Sequence, residues 1–135
     1  MGMPFKQQEL AKMMDGQFQE FLVKGGIAMP YLVTKIVYPN EKGNEVAEKY
    51  LEALKKYPPD ENVGVEVVPA AIKSSHEGMN VLSITEVKDG KIEDALKRTT
   101  SMMLMFRDIP GYRYSTQIYL KVEEALAFLG MSLPR

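Results

Sequence analysis

The stretch YLVTKIVYPNEKGNEVAEKYLEALKKYPP, residues 31–59, contains a complete strand–turn–helix unit. Its first eight residues are mostly β-branched or aromatic, which favours a strand, and Pro39 and Asn40 follow as turn formers. From Asn44 to Tyr57 apolar residues recur at helical spacing, while charged residues occupy the opposite side. Two consecutive prolines end this pattern. The stretch therefore predicts a strand followed by an amphipathic helix.

The rest of the chain adds a second strand to this unit and then repeats the strand–helix–strand order. The segment VGVEVVPAAIK predicts a strand in which Pro69 implies an edge position or a bulge, KSSHEGMN predicts a hairpin loop, and VLSITEV predicts a third strand. A second helix from Lys91 to about Arg107 and the strand YRYSTQIYLK complete a βαββαβ order, which is the ferredoxin-like arrangement. The predicted fold is therefore α+β, with a four-stranded antiparallel sheet.

Two terminal segments flank this predicted unit. We divide the chain into an N-terminal helix and linker (1–29), a ferredoxin-like domain (30–121), and a short C-terminal helix and tail (122–135). Between Leu10 and Leu22 the apolar residues follow one helical stripe, and the other face mixes acidic, basic and amide side chains. That mixture favours packing against protein, because helices that lie on membranes are usually rich in Lys and Arg there.

The run SMMLMF, residues 101–106, lies at the end of the second predicted helix. Helical spacing of 100° per residue places a core stripe through Ile92, Leu96, Thr99, Met103 and Phe106. Leu104 and Met105 fall outside this stripe, so we predict that they form a small docking patch for another helix.

The composition excludes several classes of protein. The chain has 135 residues, 45% of them hydrophobic and 26% charged, which is typical of one globular domain. Its net charge is −1 with mixed signs along the chain, so it lacks the basic patch of a nucleic-acid-binding protein. It has no cysteine and one histidine, so we predict no metal site and no cofactor. No apolar run is long enough to cross a membrane, and we expect a cytoplasmic protein.

A sheet with both helices on one face leaves its other face uncovered. The period-2 alternation of the strands predicts a mixed polar and apolar surface there. Seven residues are predicted to bind a ligand on this face: Lys35, Ser83, Thr85, Arg113, Ser115, Gln117 and Tyr119. The alternate positions, among them Thr34, Leu82, Ile84 and Tyr112, are predicted to face the core. Glu66 belongs to the same set as the seven if its strand keeps a regular register up to Pro69. Such a surface suits a small-molecule site or a hydrated interface, and a partly solvated face is the simpler alternative.

Residues 30–121 resemble the dimeric α+β-barrel superfamily. The resemblance rests on the βαββαβ order, on the Pro-Gly pair that precedes the last strand in DIPGYRYSTQIYL, and on the additional terminal helices. It implies two ferredoxin-like subunits with their sheets face to face. In that superfamily the space between sheet and helices, or between the sheets, serves cofactor-independent monooxygenases, isomerases, haem enzymes and ligand-sensing domains. The expected partners are therefore a second copy of the chain and a small organic ligand.

Three residues are candidates for catalysis: His76, Tyr119 and Glu66. A histidine can act as a general base near neutral pH, but the neighbours of His76 are turn formers. In an enzyme, Arg113 or Lys35 would bind an anionic or carbonyl oxygen, while Tyr119 or Glu66 transfers protons. The alternative hypothesis is a non-catalytic protein whose amphipathic helices build a larger homo-oligomer.

Overall fold

The computed structural model describes residues 29–134, which form an α+β fold. Four strands form one sheet: β1 (Tyr31–Tyr38), β2 (Gly64–Ser75), β3 (Gly78–Val87) and β4 (Arg113–Tyr119). The helices of the described range are α1 (Gly43–Lys56), α2 (Ile92–Leu104) and α3 (Val122–Phe128), and a short 3₁₀ turn (Asn40–Lys42) precedes α1. The predicted N-terminal helix lies outside the described residues.

The sheet has the strand order β2–β3–β1–β4, and every neighbouring pair is antiparallel. Thr34 in β1 is opposite Ser83 on one side and Thr116 on the other, which fixes the register of the three strands. The predicted four-stranded antiparallel sheet is thus confirmed. β1 and β3 are its central strands, so β2 and β4 are its edges.

Strand β2 is irregular around Pro69. Its pairing with β3 shifts between Glu66 and Val68 and again between Val68 and Ala71. Proline has no N–H to donate to a neighbouring strand, so it is tolerated at an edge or a bulge. The structure has both features here, as the sequence predicted.

The turn between β2 and β3 is shorter than the sequence predicted. Its two residues, His76 and Glu77, connect strands that extend to Ser75 and from Gly78. The Asn80 Nδ2 atom donates to Ser75 Oγ over 2.6 Å, and Ser75 Oγ donates to the carbonyl of Gly78. These bonds hold the turn together, so the predicted eight-residue loop is wrong.

The core lies between the sheet and helices α1 and α2, in two clusters. The first cluster contains Ile36, Tyr38, Val46, Ala53, Met103, Phe106 and Ile109. The second contains Leu32, Val87, Ile92, Ala95 and Ile118. The buried residues of α2 follow the predicted core stripe, which is confirmed at Ile92, Met103 and Phe106.

The two residues of the predicted docking patch after α2 differ in exposure. The Leu104 side chain is 46% exposed, whereas Met105 is partly buried against the first core cluster. Backbone bonds of the 3₁₀ type, such as Phe106 N–H to Met103 O at 3.0 Å, tighten the chain after the helix. Because the chain winds more tightly here than an α-helix, the Met105 side chain points in a direction that the 100° spacing did not predict. None of the helices within residues 29–134 is long and apolar enough to cross a membrane.

The Pro110–Gly111 turn before β4 packs on the end of β1. Gly111 has φ +81°, and a Cβ atom placed there would lie 2.5 Å from Pro39 Cγ. Only glycine adopts this conformation easily and leaves room for the proline ring. The contact therefore links the start of β4 to the turn that follows β1.

We expect Gly111→Ala to destabilise the protein more than Gly90→Ala. Gly90 also has a positive φ, +74°, but nothing lies within 4 Å of a Cβ atom there. Gly90→Ala should therefore cost about 1 kcal/mol of backbone strain, and Gly111→Ala should add a steric term to a similar strain. Urea unfolding of both variants measures the two costs. Equal free energies of unfolding would show that the contact with Pro39 has no energetic role.

Candidate functional site

The strand register divides the seven predicted ligand-binding residues between the two faces of the sheet. Lys35, Arg113, Ser115, Gln117 and Tyr119 lie on the face that helices α1 and α2 leave uncovered, as predicted. Ser83 and Thr85 lie on the opposite, helix-covered face, because they pair with Thr34 and Leu32 of β1. Placing all seven on one face was therefore wrong.

The error arose in β3, whose two alternating sets are similar in polarity. The sequence analysis assigned the hydroxyl residues outward and Leu82 and Ile84 inward. The pairing of Lys35 with Leu82 shows the reverse. Glu66 also belongs to the helix-covered side, since it is opposite Thr85. Hydroxyl groups are tolerated on this side because the sheet and the helices enclose a cavity there.

This cavity, which we call the inner cavity, has a volume of about 250 Å³. Strands β1 and β3 form its floor with Leu32, Thr34, Ile36, Val81, Ser83 and Thr85. Helices α1 and α2 form its roof, mainly with Val46, Tyr50, Leu54, Met102 and Phe106. Most of this lining is apolar, which is typical of sites for small organic molecules.

The inner cavity opens beside the irregular part of β2. Glu66, Pro69, Ala70 and Ile72 form this edge of the cavity. The Ile72 side chain is 59% exposed and Tyr50 on α1 is 37% exposed, so the opening has apolar sides. This edge of the inner cavity therefore carries apolar side chains that solvent can reach.

Tyr112 lies at the closed end of the inner cavity. Its ring stacks on Phe106 with the ring centroids 4.8 Å apart, and its hydroxyl donates to Met103 Sδ over 3.7 Å. Burial raises the pKa of Tyr112 well above its ordinary value, and the nearby phenols of Tyr38 and Tyr114 raise it further. The phenol therefore stays protonated near neutral pH and cannot act as a general base.

A row of hydroxyl groups crosses the floor of the inner cavity. Thr34 is opposite Ser83, and side chains paired in this way lie roughly 5 Å apart at Cβ; Thr85 follows two residues later on the same side of β3. Thr34 is 6% exposed. These hydroxyls can donate to or accept from one polar group of a ligand, and they lie among apolar neighbours. Sequence analysis had included Ser83 but missed Thr34 and Tyr112, which belonged to strand faces predicted to be core.

A second cavity of about 200 Å³, the outer cavity, adjoins the first. The segment from Pro59 to Glu66 and residues of α2 form its walls. Leu32, Glu66, Thr85, Arg98 and Thr99 line both cavities and form the boundary between them. Polar side chains are thus concentrated where the two cavities meet.

The uncovered face of the sheet has a separate, shallow groove. It runs past Lys35, Val37, Lys73, Asn80 and Leu82. The Lys35 ammonium lies 5.9 Å from the centre of the Tyr119 ring, whose hydroxyl donates to Gln117 Oε1 over 3.5 Å. These are contacts between exposed side chains, typical of a solvated surface or of a hydrated interface.

Lys121 lies just after β4, at the end of this face opposite the groove. Its ammonium bonds to Glu86 Oε2 over 2.9 Å and lies 5.6 Å from the centre of the Tyr31 ring. The hydrogen bond to Glu86 raises the pKa of Lys121. Within α3, burial raises the pKa of Glu124, which accepts a hydrogen bond from the Lys121 backbone N–H. The ion pair between Lys121 and Glu86 connects the end of β4 to the end of β3.

The three catalytic candidates lie on different surfaces. His76 is in the exposed turn between β2 and β3, Tyr119 is on the uncovered face, and Glu66 is at the edge of the inner cavity. They cannot act together on one substrate. No group of three His, Asp or Glu side chains in the range 29–134 is arranged to hold a metal ion.

Compared with known proteins, the chain matches no protein-family model, no curated protein and no solved structure. Function is therefore inferred from the cavities and the residues that line them.

We expect Tyr112 to remain protonated in the folded protein when other tyrosines ionise. Between about pH 9 and pH 11, the rise in absorbance at 295 nm should be the same for the wild type and for Tyr112→Phe. A smaller rise in Tyr112→Phe, by one of the seven tyrosines of the chain, would contradict the raised pKa.

The same pKa shift predicts a pH dependence of stability. Because the pKa is raised on folding, its contribution to stability is fully present below the ordinary value of 10.0 and is lost as the pH rises above it. The free energy of unfolding should therefore fall more steeply above that pH in the wild type than in Tyr112→Phe.

Proposed function

We propose that this chain is a small-ligand-binding domain that takes an apolar organic molecule in the inner cavity. The observation that supports this proposal is an open, mostly apolar cavity of about 250 Å³ with a row of hydroxyl groups in its floor. An apolar cavity of roughly 150 Å³ already binds benzene. The inner cavity therefore suits a somewhat larger molecule, of the size of a bicyclic aromatic compound that carries one polar group.

Binding is better supported than turnover. The phenol of Tyr112 remains protonated, so it can donate a hydrogen bond but cannot remove a proton from a substrate. Glu66 is the carboxylate at the edge of the inner cavity, and a cofactor-independent reaction would use it as the base. Such an enzyme is an extension of the binding proposal, since the substrate would occupy the same cavity.

We further propose a ferredoxin-like arrangement and a homodimer formed through the uncovered face of the sheet. The order β1-α1-β2-β3-α2-β4 and the strand order β2–β3–β1–β4 support the arrangement. The half-buried Leu82 and Ile84 beside Lys35 support the interface, because apolar residues within a polar surface are typical of contacts between subunits. Two copies joined in this way would leave the inner cavity of each accessible.

The ligand proposal predicts that Ser83→Leu blocks binding. The larger side chain fills the floor of the inner cavity, so the affinity for 2-naphthamide, a neutral bicyclic probe, should fall at least tenfold. Isothermal titration calorimetry measures this affinity. Ser115→Leu is the matched control, because it makes the same change on the uncovered face and should leave the affinity within about twofold of the wild type.

Two results would contradict the ligand proposal. One is the absence of probe binding to the wild-type protein, and the other is equal binding by the wild type and Ser83→Leu when circular dichroism shows that both are folded.

The dimer proposal predicts a solution mass of twice the 15.2 kDa of one chain. Leu82→Arg should halve this mass, since it places a charge in the centre of the proposed interface. Leu51→Arg makes the same change at an exposed position of α1 and should leave the mass unchanged. Light scattering after size-exclusion chromatography measures all three proteins. A dimer that survives Leu82→Arg would exclude this face as the interface.

A stable oligomer without probe binding would favour the second candidate function, a non-catalytic interaction protein.

A further inference from the structure

Arg98 occupies the boundary between the inner and outer cavities. It lies on α2, one residue before Thr99, and both side chains line both cavities. Thr85 reaches the same boundary from β3, and Glu66 reaches it from β2. A molecule whose apolar part fills the inner cavity would therefore place its polar end next to these four residues.

The Arg98 guanidinium is held in place and lacks an acidic partner. Its Nη2 atom donates to the Tyr57 carbonyl at the end of α1 over 2.7 Å, which uses one of its five N–H groups. Among the described residues, no carboxylate lies within ion-pair distance of it. By contrast Lys97, one residue earlier on α2, pairs with Glu93 at 3.2 Å. Arg98 is also half-buried, and a half-buried charge without a counter-ion is unfavourable.

We propose that the ligand of the inner cavity is an organic acid, and that Arg98 binds its carboxylate. This inference rests on the proposed function, because it names the chemical class of the molecule that the inner cavity takes. The apolar body lies between the sheet and the helices, and the carboxylate accepts N–H bonds from Arg98. Guanidinium groups suit this role because their planar arrangement of donors matches a carboxylate. The hydroxyls of Thr85 and Thr99 are further donors at the boundary.

Glu66, the acidic side chain at the same boundary, does not reverse the expected preference for an anionic ligand. Glu66 is exposed, so water screens its charge, whereas Arg98 is half-buried and its attraction for an anion is screened less. A cationic ligand would have to place its charge beside Arg98. Glu66→Gln should accordingly strengthen the binding of an anionic ligand by a small factor.

The test compares two probes that differ only in charge. 2-Naphthoate carries a carboxylate, and 2-naphthamide has the same rings and nearly the same shape without the charge. The wild-type protein should bind naphthoate at least tenfold more tightly than the amide, as measured by isothermal titration calorimetry at neutral pH. Arg98→Gln should remove this preference and change the affinity for the amide much less, because the neutral amide gains no charge attraction from Arg98.

Two further variants separate charge from structure. Arg98→Lys keeps the positive charge and should restore part of the preference for naphthoate. Arg107→Gln removes the same charge from an exposed position after α2 and should behave as the wild type. If Arg98→Gln kept the preference for naphthoate, Arg98 would not be the group that binds the carboxylate, and the inference would be overturned.

The proposed function and this inference fail in different ways. Equal affinities of the wild type for the two probes, with binding blocked by Ser83→Leu, would overturn the organic-acid inference and leave the ligand site standing. The absence of binding by either probe would overturn both.

Discussion

The missing N–H of Pro69 is the constraint on which the rest of the site depends. Proline fits an edge strand only where its missing N–H faces away from the partner strand or where the strand bulges, and β2 shifts its register on the way to Ala71. The irregular strand forms one edge of the inner cavity and leaves Ile72 largely exposed. A regular edge strand would instead pack its apolar side chains beneath α1. The opening of the inner cavity thus follows from one residue type at one position.

The inner cavity has an energetic cost in the free protein. Apolar side chains that line an empty space lose the van der Waals contacts of a filled core. The two core clusters on either side keep the sheet and the helices together, with Phe106 and Tyr112 stacked at the closed end. A molecule that fills the inner cavity restores these contacts, and because it binds only the folded state it also raises the free energy of unfolding. This linkage connects the packing of the domain with its proposed function.

Much of the fold could be predicted from local patterns. The prolines, the glycine turns and the helical period were enough to predict β1, α1, α2 and the irregularity at Pro69, because these features depend on residues close in sequence. Which side chains of β3 face the helices could not be predicted, because the residues that alternate with Leu82 and Ile84 are only weakly polar. The orientation of these side chains is fixed by the pairing of β3 with β1, which is a non-local interaction.

The candidate site was predicted less well than the fold. Arg98 was missed because it adjoins the core stripe of α2 and resembles any other surface cation in the sequence. Its position four residues before Met102 was the available signal, since both residues face the same side of the helix. Tyr112 and Thr34 were treated as ordinary core positions. Sequence periodicity separates inside from outside, but it does not distinguish a filled interior from one that contains a cavity.

The most direct measurement is the set of intermolecular nuclear Overhauser effects between bound 2-naphthamide and the methyl groups of the protein. The account predicts contacts from the naphthalene protons to the methyl groups of Val46, Leu54 and Met102, which line the inner cavity and not the groove. Contacts only to Val37 and Leu82, on the uncovered face of the sheet, would contradict it.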